Sequence, residues 1–177
     1  MENIILICII VVALLLMIAT IYNNKFKLCI IKINEAENNI DILLEKKKEL
    51  LIRTKPIIKK ELKLDDFLED IEHLDEKNFN HFQMNDTLKK NYNELFKVLD
   101  ENEKLFKSES LISIIEQINS NEEAMIGSIK FYNDSVVTFN ELIESFPSGI
   151  IAFFKRYKTK EFYNNEKREI FEILNDK

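Results

Sequence analysis

The stretch "IILICIIVVALLLMIATIY", from Ile4 to Tyr22, constrains this chain more than any other. Its 19 residues carry no charge, and Thr20 is the one clearly polar side chain among them. As a helix the run extends about 28 Å at 1.5 Å per residue, close to the thickness of a bilayer's hydrocarbon core. Leu, Ile and Val each favour insertion by a few tenths of a kcal/mol, so the sum is on the order of several kcal/mol. Three other readings fit the residues less well. A cleaved signal peptide calls for a basic start and small residues before the cut, but the chain opens Met1-Glu2-Asn3 and Met17-Ile18-Ala19 is a poor cleavage site. A lipoprotein site at Cys8 calls for a small residue before it, and Ile7 stands there. A buried core helix does not call for so long an unbroken apolar run. The expectation is a retained transmembrane span from Ile4 to Tyr22 within an anchor region 1–24, leaving 25–177 as the body.

Flanking charge sets the expected orientation. Glu2 precedes the span with no Lys or Arg, whereas Lys25, Lys27 and Lys32 follow it closely. By the positive-inside rule the N-terminus lies outside the cell membrane and the body in the cytoplasm, as a single-pass protein. Those lysines are also placed to touch anionic lipid.

The body lacks the residues that make tight turns. Two Gly and two Pro in 177 residues cannot supply a hairpin-rich β fold. Helical periodicity is plain instead. From Leu111, steps of four and three residues reach Ile115, Ile118, Glu122, Met125, Ile129, Tyr132, Val136, Phe139 and Ile143, and only Glu122 interrupts the apolar seam. Ser108 and Glu109 offer this helix an N-cap and a first-turn carboxylate. An earlier stripe joins Ile33, Ala36, Ile40, Leu43, Lys47, Leu50, Thr54 and Ile57, broken by Lys47 and Thr54 and widened by Leu44, Leu51 and Ile58. It extends towards Leu64, Leu68 and Ile71, with Pro56 expected to kink or break it. A third stripe holds Leu88, Tyr92, Leu95, Leu99 and Phe106. The connection Glu76–Asp86 contributes Phe79 and Phe82, expected to pack back onto the body. The fold class expected is all-α: an N-terminal transmembrane helix followed by an antiparallel bundle of about four long helices.

"SFPSG" (Ser145–Gly149) holds one proline and one glycine within four residues. The long helix must end before Pro147, because the residue preceding proline is pushed out of the α region. Ser148 is expected to cap a short helix whose Ile150, Ile151, Phe153 and Phe154 fold over the end of the bundle. Thr159 is expected to cap a last helix carrying Phe162, Ile170, Phe171 and Leu174.

Candidate chemistry is sparse. His73 and His81 lie among Glu72, Asp75 and Glu76, residue types able to ligate a divalent metal, but a spacing of eight matches no standard ligand pair. An acidic, solvated surface is the plainer reading, and "DDFLEDIEHLDE" reads as an amphipathic face with Phe67, Leu68, Ile71 and Leu74 turned inward. Cys8 and Cys29 form no metal-type spacing, and a structural disulfide between them is not expected. No phosphate-cradling glycine loop or nucleophile–base constellation is present in the sequence. A net charge of −6 without a long basic stripe makes nucleic acid an unsuitable partner. Asn133 and Asn140 lie seven apart beside Tyr132 and Phe139, and are expected to bond a neighbouring helix or the SFPSG loop and so hold register.

The segment "FYNDSVVTFNELIESFPSGIIAFFKRYKTKEFY" resembles the C-terminal signature of the LemA family: Tyr132-Asn133, Phe139-Asn140, then Glu144-Ser145-Phe146-Pro147 and the basic aromatic stretch Tyr157 to Tyr163. "EAENNIDILLEKKKELL" (Glu35 to Leu51) is similar to a second family block. The chain departs from the family pattern at Glu37, where tryptophan is usual, and at Leu50-Leu51-Ile52-Arg53 in place of Leu-Ile-Pro-Asn, which marks a divergent member. The resemblance implies a bacterial membrane-anchored helical bundle with a short outer N-terminus, and it implies no cofactor and no catalytic residue. The expected function is therefore non-catalytic: an interaction or scaffold protein in the lipid bilayer that binds other proteins or itself. The alternative is a membrane-tethered metal-dependent hydrolase using His73, His81 and nearby carboxylates.

Overall fold

The computed structural model describes residues 1–64, 67–68, 71 and 81–163, except for the side chains of 81–83. Among the described residues there are four α-helices and no strand. The protein is an all-α helical bundle with one long apolar N-terminal helix.

Helix α1 runs from Glu2 to Leu62 without interruption, so the apolar span and the first helix of the body are one 61-residue element. Pro56 lies inside it. The missing N–H removes one hydrogen bond, yet the helix carries on for six more residues to Leu62. Nor does α1 reach Leu64, Leu68 and Ile71. Lys63 and Leu68 have positive φ (55° and 54°), and Phe67-Leu68 form a turn. Phe67, Leu68 and Ile71 are still buried, so the apolar side of the pattern is kept outside α1, with Phe67 and Leu68 in a turn and Ile71 helical.

Helix α2 spans His81–Glu101, and a 3-10 helix follows at Glu103–Lys107. The tighter coil of that short helix shifts the register of the third stripe by one residue. Leu105 is buried, and Phe106, expected on the stripe, is half exposed. Helix α3 is Glu109–Glu144, 36 residues. Ser108 precedes it in extended conformation, and its Oγ accepts the Leu111 N–H at 3.4 Å, which is the expected cap.

The chain divides into two compact units. One comprises Met1–Glu37 with Lys130–Lys177, and the other Asn38–Ile129. In the second, Ile40, Leu44, Leu50, Leu51 and Ile58 of α1, Leu88, Leu95 and Leu99 of α2, and Leu111, Ile114, Ile118 and Met125 of α3 are buried. Burial of a whole Leu or Ile side chain contributes about 1.5–3 kcal/mol, so these seams dominate the favourable side of folding. In the first unit the core is Phe26, Ile33, Ala36, Tyr132, Val136, Phe139, Ala152 and Tyr163.

Helix α4, Ser148–Lys155, follows a corner whose Phe146–Pro147 bond is cis. Ser148 is the first residue of α4 rather than its cap: the Ser148 hydroxyl donates to the Ser145 carbonyl at 3.1 Å. The Gly149 N–H donates to that same carbonyl at 2.7 Å. Gly149 is needed for the close approach, since a Cβ there would stand 2.8 Å from the Ile143 carbonyl oxygen. The face expected to cover the bundle faces outward instead. Ser148 and Ala152 are buried, whereas Ile150, Phe153 and Phe154 are exposed and Ile151 is half-buried. Small residues are needed where α4 meets α3, so the bulky ones point away.

No helix begins at Thr159. Residues 157–162 have no regular secondary structure, and Phe162 belongs to this irregular strap. Side-chain hydrogen bonds from α3, described below, hold its backbone in place of helical ones. Ile170, Phe171 and Leu174 lie outside the described residues.

Candidate functional site

Two polar clusters stand out, one in each unit. In the first unit, the side chains of α3 fasten the 157–163 strap. Asn140 makes a double contact with one residue: its Oδ1 accepts the Lys160 N–H and its Nδ2 donates to the Lys160 carbonyl, both at 2.9 Å. Seven residues back on the same face, the Asn133 Oδ1 accepts the Tyr163 N–H at 2.8 Å. The Tyr132 hydroxyl donates to the Glu161 carbonyl at 3.2 Å. The two asparagines thus hold register, but against the strap and not against a helix or the SFPSG loop. An amide side chain carries N–H donors and a carbonyl acceptor in one plane, so it can pair with both the N–H and the C=O of one backbone residue.

Aromatic packing closes the same unit. Phe26, Phe139 and Tyr157 form a three-ring cluster with centroids 5.0–5.8 Å apart. Tyr132 meets Tyr163 edge-on at 6.1 Å. Burial raises the Tyr132 phenol above its ordinary range, and the carboxylates of Glu37 and Glu161 add to the effect. Burial likewise raises the Cys29 thiol, partly offset by Lys32, so Cys29 stays a neutral core thiol. Cys8 and Cys29 are both free.

In the second unit, the one charged residue in each apolar seam finds the other. Lys47 of α1 is 2% exposed, and its ammonium lies 2.6 Å from the Glu122 carboxylate of α3. The same ammonium sits 5.2 Å above the Tyr92 ring of α2. Burial first, and then the Glu122 charge, raises the Tyr92 phenol. Beside the pair, Asn121 donates to the Leu43 carbonyl at 3.0 Å. Thr54, the other break in the α1 stripe, satisfies itself on the Leu51 carbonyl at 2.7 Å. Sequence reading did not single out Lys47 and Glu122 as partners. The available signal was opposite charge at seam positions of two otherwise apolar stripes.

Of the remaining candidates, Phe146 is 86% exposed and Pro147 half-buried at the corner. His73, Glu72, Asp75 and Glu76 lie outside the described residues, as do Phe79, Leu74 and the side chains of His81 and Phe82. Among the described residues, no three His, Cys, Asp or Glu side chains converge as a metal site. From Ile4 to Tyr22, α1 is apolar and uncovered by the rest of the protein, and it is long enough to cross a membrane.

A helical bundle pinned by side-chain amides, and continuous with an apolar helix of membrane-crossing length, defines the class of this protein. Residues 36–173 match the LemA family, and the chain belongs to that family. Comparison with curated proteins and with solved structures gave no match.

Proposed function

We propose that this LemA-family chain is a single-pass protein of the cell membrane that acts without catalysis. Its N-terminus lies outside, and its helical body binds other proteins or further copies of itself in the cytoplasm. The observation that carries the reading is the continuity of α1. One unbroken helix includes both the uncovered apolar stretch and the first core helix of the body. Lys25 and Lys27, exposed just past the apolar stretch, support the orientation. Leu28 and Ile31 in the first unit, and Ile42 and Ile126 in the second, are more than half exposed and offer apolar footing for partners.

Crosslinking in intact membranes followed by mass spectrometry tests the proposal. Reproducible crosslinks from cytoplasmic lysines to a small set of neighbours, or to a second copy, are expected. A body that captures no recurring neighbour, or that is labelled only by reagents confined to the cell exterior, refutes it.

A further inference from the structure

Helix α4 carries its bulk on the wrong side for a folding element. Phe153 and Phe154 are 80% and 79% exposed, and with Ile150, three and four residues earlier, they make one apolar face. Phe146 adds a further exposed ring at the corner. Four large apolar side chains in nine residues are thus exposed, a concentration of the kind that marks a contact surface.

The position of the patch says what covers it. Within the first unit, Phe26 of α1 packs on Phe139 of α3. Further along α1, Glu37 acts on Tyr132, which precedes Phe139 in α3. The two helices therefore run antiparallel here. Glu144, the end of α3, lies five residues past Phe139, about 7.5 Å towards the apolar span at 1.5 Å per residue. Tyr22, the end of that span, lies four residues before Phe26, about 6 Å in the same direction. The corner thus begins level with the last residue of the apolar run, and the chain returns to the Phe26 level at Tyr157. Helix α4 occupies the height between. Exposed Lys155, Arg156 and Lys158 follow its apolar face, and exposed Lys25 and Lys27 stand nearby in α1. Apolar bulk flanked by cations, held beside the end of a membrane-crossing helix, is the layout of an element lying in the plane of the bilayer surface.

We infer that α4 is a second membrane contact: Phe146, Ile150, Phe153 and Phe154 enter the interfacial layer of the bilayer that α1 crosses, while Lys155, Arg156 and Lys158 meet anionic headgroups. The inference rests on the anchor reading above. It means that the first unit does not swivel freely on its anchor but is held against the surface at two points.

The chain contains no tryptophan, so a single introduced one reports unambiguously. The full chain carrying Phe153→Trp is reconstituted in vesicles of phosphatidylcholine and phosphatidylglycerol, with and without bromine on the acyl chains. Phe154→Trp serves as a second reporter on the same face, and Leu14→Trp reports the anchor. The expected result is blue-shifted emission from the Phe153→Trp and Phe154→Trp chains, loss of most of it in brominated vesicles, and weak quenching by aqueous iodide. Emission quenched by iodide and untouched by bromine places α4 in water and overturns the inference. Emission shielded from both places it against protein, a second copy included, and overturns it equally. If Leu14→Trp also escapes bromine quenching, the anchor reading itself has failed. If Leu14→Trp is quenched and the α4 reporters are not, only the present inference falls.

Discussion

Removing either half of the Lys47–Glu122 pair is expected to destabilise the fold unequally. The two partners are not equally buried: Lys47 is 2% exposed, whereas the Glu122 side chain keeps 29% of its surface in water. Glu122→Gln leaves an ammonium in an apolar seam with only the Tyr92 ring face and a neutral amide for company. Breaking a buried pair in this way costs about 3–5 kcal/mol. Lys47→Met leaves a carboxylate whose Oε1, the oxygen that faced Lys47, is buried while the rest of the side chain still reaches water, and methionine fills the space of the lysine stem. A partly hydrated carboxylate costs less than a fully buried ammonium, about 1–3 kcal/mol. Replacing both, as Lys47→Met with Glu122→Leu, removes two desolvated charges together, and buried pairs replaced by apolar residues are often neutral or gain about 1–4 kcal/mol. The predicted order of stability is therefore double variant at or above parent, then Lys47→Met, then Glu122→Gln. Denaturant unfolding of the full chain in detergent micelles, followed by far-ultraviolet circular dichroism, reads all four proteins. Single variants that both lie within about 0.5 kcal/mol of the parent would show that the pair is solvated like a surface ion pair. A double variant weaker than either single would refute the account of charge burial altogether.

Two further predictions concern the strap. Asn140→Ala removes two hydrogen bonds of 2.9 Å to Lys160 and is expected to cost about 1–3 kcal/mol. Amide exchange at Lys160 should accelerate in that variant and be partly restored in Asn140→Asp, which keeps the acceptor; unchanged exchange in Asn140→Ala would show that the strap is held by its aromatic rings alone. Tyr132 makes stability fall at alkaline pH. Its folded pKa is raised, so its contribution is complete below the unfolded value of about 10 and is lost as pH rises through the folded value. Tyr132→Phe should flatten the alkaline limb of the stability profile from about pH 10 upward, and a limb as steep as the parent's would assign that loss to other groups.

Much of the fold was legible because it is periodic. Spacing alone puts Leu111, Ile118, Met125, Tyr132, Val136 and Phe139 on one seam, and all six are buried, while Ile115, Ile129 and Ile143 of the same seam are half-buried. A helix repeats its own geometry every 3.6 residues, so a stripe needs no knowledge of its partner. Breaks in helix were harder to read. The end of α1 at Leu62 and the 3-10 helix at Glu103–Lys107 depend on backbone choices to which no side-chain pattern commits. The family signature also marked the right residues for register. It could not say that Asn133 and Asn140 would grip an irregular strap, because their partners are 30 and 20 residues away and are backbone groups without sequence character.

The amino-acid order by itself determined the uncharged run from Ile4 to Tyr22, the all-α class and the corner at Pro147, since each follows from local composition, period or the geometry of one residue. Tertiary structure alone decided that Lys47 would meet Glu122, that residues 157–162 would take no regular secondary structure, and that Phe153 and Phe154 would face outward. Those outcomes depend on which surfaces are brought together across long stretches of chain. For α4 the deciding contact is a single missing side chain: with 2.8 Å to the Ile143 carbonyl oxygen from any Cβ at position 149, only the face with Ser148, Gly149 and Ala152 can approach α3.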